Sequence, residues 1–320
     1  MRLPFPEAGE GEKGWLLCLV PLLRLYCRVM QLLYDALIQP FIEFGFMRRA
    51  LVACLALSIS AGPIGVFLVL RRMSLMGDAM SHAILPGAAI GFLVFGLSMW
   101  AMSLGGLVVA LMVALAAGAM SRVTPLKEDA ALAGFFLISL ALGVLLVSMK
   151  GSSVDLLHIL FGTLLAVSNG ALLLIAAASS LSVIALALVY RTLILECFDP
   201  GFLRAVGGKG GLAHATFLAM VVLNMVAAMQ ALGTLMAIGL MMLPATSARM
   251  WTISIGRMIG LAVLLAMLSS VAGLIISYHA NLPSGPAVIL AAGFIYLLSL
   301  AVGSNGGLLR RYIRRPHLEH

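Results

Sequence analysis

The chain is a succession of apolar runs separated by short polar segments. The runs occupy 50–70, 79–97, 102–120, 132–149, 170–190, 214–230, 233–248, 258–278 and 285–302. Most approach the roughly 20 residues that a helix needs to cross a bilayer. Polarity does not alternate along them, which excludes a transmembrane barrel. The pattern predicts an all-α, polytopic membrane helical bundle of eight or nine transmembrane helices, the count depending on whether 214–248 forms one crossing or two.

The remaining segments differ in kind. Residues 1–14 are polar, and 15–46 are apolar but broken by Arg24, Arg28, Asp35, Pro40 and Glu43. Arg24 and Arg28 share a helical face, so 1–46 reads as a polar N-terminus followed by an amphipathic helix in the membrane interface. The acidic start argues against a cleaved signal peptide. Residues 47–309 form a single transmembrane domain. Within it, 150–168 is less apolar and predicts an interfacial or re-entrant helix, and 191–211 is the longest later polar interruption. Residues 310–320 form a basic tail whose end, Leu318-Glu319-His320, reads as the start of a purification tag.

Composition agrees with a membrane protein: 62% hydrophobic and 10% charged residues, with a mean hydropathy of +1.13. The net charge of +8 is no nucleic-acid signal, because Lys and Arg fall between the apolar runs. With nine crossings, Arg71/Arg72, Arg122/Lys127, Arg191/Arg204/Lys209, Arg249/Arg257 and the tail share one side. Basic loops mark that side as cytoplasmic. Arg48 and Arg49 fall on the other. Cys18, Cys27, Cys54 and Cys197 are scattered and form no CxxC, which argues against a disulfide framework or a thiolate metal site. The run Gly207-Gly208-Lys209-Gly210-Gly211 does not fit a phosphate loop, and GxSxG and HExxH are absent. The chain reads as non-catalytic.

The candidate chemistry lies in 71–91, RRMSLMGDAMSHAILPGAAIG. Asp78 and His82 are four apart, so on a helix they share a face with Cβ atoms about 6 Å apart. A hard oxygen and a borderline nitrogen suit Zn²⁺, Mn²⁺ or Fe²⁺. Two ligands are too few for a structural site, and a second copy would double them. The alternative is that Asp78 caps its helix and His82 hydrogen-bonds a neighbouring one. Pro86, Gly87 and Gly91 would let the backbone bend and a partner helix approach closely. Asp155/His158 could form an outer collecting site, but a cap plus an interfacial histidine is the commoner reading, and more so for His279/Asn281. The 20 methionines are spread around the helices and read as packing. In 198–211, Asp199 and Pro200 suit the N-cap and first position of a short helix over 201–206, ended by Gly207-Gly208. Such a helix is either a docking element or an ordinary loop helix.

The signature RRMSLMGDAMSHAILPGAAIG resembles that of the permease subunits of bacterial zinc and manganese ABC importers. AGPIGVFLVL, VDLLHILFGTLLAV, LMAIGLMMLPATSARM and LPSGPAVILAAGFIYLLSL agree in order and spacing, so the resemblance spans 41–301. It implies the ABC importer permease fold in the bacterial inner membrane, and a homodimer. It further implies separate cytoplasmic ATPase subunits and a periplasmic or lipid-anchored metal-binding protein. By the same resemblance, Asp78 and His82 are metal ligands of the pathway. The ATPase-coupling segment is Asp199, Pro200, Gly201, Phe202, Leu203, Arg204, Ala205, Val206 and Gly207. The transported ion is then a divalent metal, zinc first, with manganese or iron as alternatives; no other cofactor is expected. Asn281 departs from the family's aspartate near the last span, and a long His-rich loop is absent. A stand-alone secondary metal transporter or channel is the competing reading, to which helices broken at Gly62-Pro63 and Pro244 would belong.

Overall fold

The computed structural model describes residue 31 and residues 39–307, except 74, 97, 126, 150–166, 206, 209 and 306. The expected helix before residue 39, the segment 150–166 with Asp155 and His158, and the basic tail lie outside these residues. The chain divides into two compact units, Met1–Arg48 and Arg49–His320.

Met1–Arg48 contains the short α1 (Gln39–Glu43) and the first residues of α2 (Gly45–Leu70). Gln39 donates to Glu43 across one turn at 2.7 Å.

In Arg49–His320, α2 continues to Leu70. It is followed by α3 (Met76–Phe95), α4 (Met99–Val123), α5 (Glu128–Met149), α6 (Asn169–Phe198) and α7 (Pro200–Ala205). Then come α8 (Gly210–Leu232), α9 (Thr234–Trp251), α10 (Ile255–Ala280) and α11 (Ser284–Val302). Every regular element among the described residues is helical. Eight of the helices are long and apolar enough to cross a membrane, and α9 is not among them. Yet α9 runs end to end. Its start adjoins Leu232, whose carbonyl lies 3.9 Å from the Cβ that Gly285 would carry at the start of α11. Its end meets the end of α11, where Trp251 Nε1 donates to Ser299 Oγ at 3.0 Å. Eighteen residues rise about 27 Å. The helix tolerates Thr246 and Ser247 because both hydroxyls donate to carbonyls one turn back, at 3.0 and 2.8 Å. Among the described residues, nine helices therefore run the length of the bundle.

Two expectations change. Helix α6 continues through Arg191 to Phe198, because an exposed arginine at a helix end reaches water without breaking the helix. The polar interruption shrinks to the residues around α7. Pro63 and Pro244 sit inside unbroken helices, which removes the feature that favoured a secondary transporter.

One end of the bundle gathers the ends of α2, α4, α6, α9 and α11 with the starts of α3, α5 and α8. Arg71 pairs with Glu196 at 3.2 Å, Arg122 with Glu196 at 2.5 Å, and His214 with Glu128 at 2.8 Å. Arg249 donates to the Val69 carbonyl at 3.1 Å. Arg71, Arg122 and Arg249, which the sequence grouped on one side, thus meet at one end, while Lys209 and the tail lie outside the described residues. Halfway along the bundle, Asn224 on α8 binds Ser60 of α2 at 2.5 Å and Ser182 of α6 at 2.5 Å, satisfying a polar cluster buried among apolar helices.

Candidate functional site on helix α3

The turn into α3 is set by Arg72, which adopts a left-handed conformation with φ 60°. Met73 N–H donates to the Leu68 carbonyl at 3.0 Å and Arg72 N–H to Val69 at 3.2 Å. This is the double hydrogen bond of a Schellman motif, with arginine where glycine is usual. It closes α2 and reverses the chain into α3.

Helix α3 is wedged between α4 and α5. A Cβ at Gly87 would lie 2.6 Å from the Gly105 carbonyl carbon and 2.9 Å from Gly106 Cα. At Gly91 it would lie 2.5 Å from the Ala101 carbonyl oxygen. On the other side, Pro86 Cδ sits 3.1 Å from the Cβ position of Gly143, and Ser139 Oγ donates to the Ala83 carbonyl at 3.3 Å. The Gly87/Gly91 spacing is therefore a seam within one chain, between α3 and α4. The methyl groups of Met225 and Met241 pack on Gly77, both 3.7 Å from its Cβ position, as core side chains.

This clamping buries most of α3 and leaves a stripe at Leu75, Asp78 and His82. The Asp78 side chain is 61% exposed and that of His82 31%. Asp78 does not cap the helix: the N-cap position is Leu75, without a side-chain hydrogen bond. Asp78 stands instead in the first turn, where a negative charge is favoured by the helix dipole. Among the described residues, His82 makes no hydrogen bond to a neighbouring helix. Its ring stacks on Phe136 of α5, with centroids 6.1 Å apart. Its buried Nδ1 has no hydrogen-bond partner among the described residues. Its Nε2 stands 3.8 Å from Asp78 Oδ1, beyond hydrogen-bonding distance. Two ligands on a tetrahedral ion with bonds near 2.1 Å sit about 3.4 Å apart, a spacing that a small side-chain rotation of this pair would reach. His82 lies about 9 Å into a helix about 30 Å long, in the third nearest the basic end.

The other sequence candidates separate. No group of three or more His, Cys, Asp and Glu suited to a metal occurs among the described residues. Asn281 takes a left-handed conformation (φ 51°) as the C-cap of α10, a role that asparagine suits. Helix α7 forms as the sequence predicts: Asp199 Oδ1 accepts from Phe202 N–H at 2.8 Å, with Pro200 at the first position. Gly207 (φ 72°) ends it, with Gly208 N–H on the Leu203 carbonyl at 2.8 Å. The glycine run around 207–211 therefore serves a helix stop. Val206 lies outside the described residues.

Sequence reasoning missed the ion cluster of Arg71, Arg122, Glu128, Glu196 and His214. The available signal was an ionisable residue near the edge of an apolar run, at Glu196 and His214.

Residues 43–303 match the model of the ABC 3 transport family. The chain is 33% identical over 282 residues to the manganese import system permease protein ScaB of Streptococcus gordonii, covering 87% of this chain and 100% of that one. It is 34% identical over 274 residues to the manganese transport system membrane protein MntC of Halalkalibacterium halodurans, covering 85% of this chain and 92% of that one. Among solved structures, PsaBC from Streptococcus pneumoniae in complex with Fab superposes with a TM-score of 0.74 at 31% identity, over 86% of this chain and 98% of that one. The ScaB and MntC relatives are named for manganese, whereas the reading from sequence put zinc first. The fold, the span pattern and these matches together place the chain in the ABC 3 transport family, as a multi-pass membrane permease subunit of an ABC transporter.

Proposed function

We propose that the chain forms the translocation pathway of an ATP-driven manganese importer, working as a homodimer. The observation that carries this is the Asp78–His82 half-site: two ligands on the open stripe of a helix whose other faces are fixed by α4 and α5. Asp78 stands two residues into α3 near the basic end and is 61% exposed, so the stripe is open to a cavity or a partner. Two copies facing one another supply two carboxylates and two imidazoles. That oxygen-containing set suits Mn²⁺, and the names of the relatives support manganese over zinc.

The basic end lies in the cytoplasm by the charge rule. A binding protein outside delivers the ion, ATPase subunits dock inside on α7, and Asp78 and His82 hold the ion in the inner third of the path. Their affinity is modest, because a pathway site must also release. The experiment is ⁵⁴Mn²⁺ uptake into proteoliposomes that contain the ATPase subunits and the binding protein. Asp78→Ala and His82→Ala lose uptake while the complex still assembles. Wild-type rates in both variants would refute the ligand assignment. Uptake by the chain alone, without ATPase, would refute the ATP-driven reading.

A further inference from the structure

The ion cluster at the basic end takes no part in the metal site, yet it touches α4 and α5, the two helices that clamp α3. Glu196 is its hub. One carboxylate oxygen faces Arg71 at 3.2 Å and the other faces Arg122 at 2.5 Å. The side chains of Glu196 and Arg71 are 11% and 9% exposed. Arg71 also contacts His214 Nδ1, donates to Cys197 Sγ at 3.4 Å, and lies over the Phe217 ring at 5.0 Å. His214 in turn pairs with Glu128 at 2.8 Å.

Each arm of the cluster leads to α3. Arg71 opens the turn into it. Arg122 ends α4, which is packed backbone to backbone against α3 at Gly87. Glu128 begins α5, whose Phe136 stacks on His82. The opposite side of the hub leads to α7. Glu196 lies in the last turn of α6, directly before the Asp199 cap. Leu203 of α7 packs on the glycines that open α8: a Cβ at Gly210 would meet Leu203 Cδ2 at 2.9 Å and Glu196 Cδ at 3.7 Å. A nearly buried carboxylate between two guanidiniums resists separation, because parting them strands a charge away from water.

We infer that Glu196 is a positioning residue that passes displacement of α7 to α3 through Arg71 and Arg122. This rests on the reading of α7 as the ATPase-docking helix. A push on α7 moves Glu196 with it, and the paired arginines carry the inner ends of α2 and α4. The Asp78–His82 stripe moves with them.

The test uses the full complex in proteoliposomes, with Mn²⁺ uptake and ATP hydrolysis measured together. In Glu196→Gln the complex assembles and hydrolyses ATP, and uptake per ATP falls roughly tenfold. Glu196→Asp, which keeps the charge, recovers part of that ratio. Arg122→Gln acts on the same carboxylate from a side chain that is 35% exposed, so it provides the test if Glu196→Gln does not assemble. Cross-linking from a cysteine at Phe202, 53% exposed on α7, to the ATPase checks the docking reading separately. Failure of that cross-link in the wild-type background overturns the docking reading. With the cross-link formed, a wild-type uptake-to-hydrolysis ratio in the assembled variants overturns the inference.

Discussion

Replacing Gly87 by alanine tests the claim that α3 is locked against α4 by backbone contact. The added methyl would sit 2.6 Å from the Gly105 carbonyl carbon and 2.9 Å from Gly106 Cα, and it also meets the Gly105 oxygen. Carbon atoms in ordinary contact lie about 3.5–4.0 Å apart, so the two helices must separate by about 1 Å. Backbone cannot rotate aside as a side chain can. Overpacking of this kind costs about 1–3 kcal/mol, and the upper part of that range applies to a backbone clash. For a chain of 320 residues, about 3 kcal/mol lowers the melting temperature by roughly 4–5 °C. The assay is thermal denaturation in detergent at a single scan rate, since membrane proteins of this kind unfold irreversibly. Gly134→Ala on α5 is the control. A Cβ there meets nothing within 4 Å. Its melting temperature is expected to stay level or rise, because alanine is the better helix former by about 1 kcal/mol. A Gly87→Ala protein melting within about 2 °C of wild type would refute the seam.

Asp199→Ala removes the side-chain acceptor at the start of α7 and destabilises that helix by about 1 kcal/mol, read as lower ATPase affinity in a pull-down against detergent-solubilised wild type. Asn224→Ala breaks the bonds to Ser60 and Ser182. Interhelical hydrogen bonds within membranes average about 0.6 kcal/mol, so the expected loss is about 1 kcal/mol, a fall of about 1–2 °C in melting temperature. Arg72→Val places a β-branched residue at φ 60° and destabilises, whereas Arg72→Gly does not; the same melting assay separates them.

The spans were legible because a bilayer demands long uniform apolar runs, and their polar breaks mark the turns. The i,i+4 spacing of Asp78 and His82 placed both on one face of α3, and Asp199-Pro200 with Gly207 marked both ends of α7. What stayed hidden depends on partners distant in sequence. Gly87 and Gly91 signal a close approach without naming Gly105 and Ala101 as the other side. Glu196 meets Arg71, 126 positions away from the neighbouring Cys197, with no local pattern to announce it. Arg191 looked like a break because charge ends most apolar runs, yet an exposed arginine extends α6. Helix α9 looked marginal because hydropathy counts Thr246 and Ser247 as polar and does not see their hydroxyls bonded to the helix's own carbonyls.

The central claim is that Asp78 and His82 from two copies hold one ion. The direct measurement is the number of Mn²⁺ ions bound per chain in the purified protein, followed by titration with Mn²⁺ electron paramagnetic resonance. The account predicts one Mn²⁺ for each two chains at this site, lost in both Asp78→Ala and His82→Ala. Undiminished binding in either variant would contradict it.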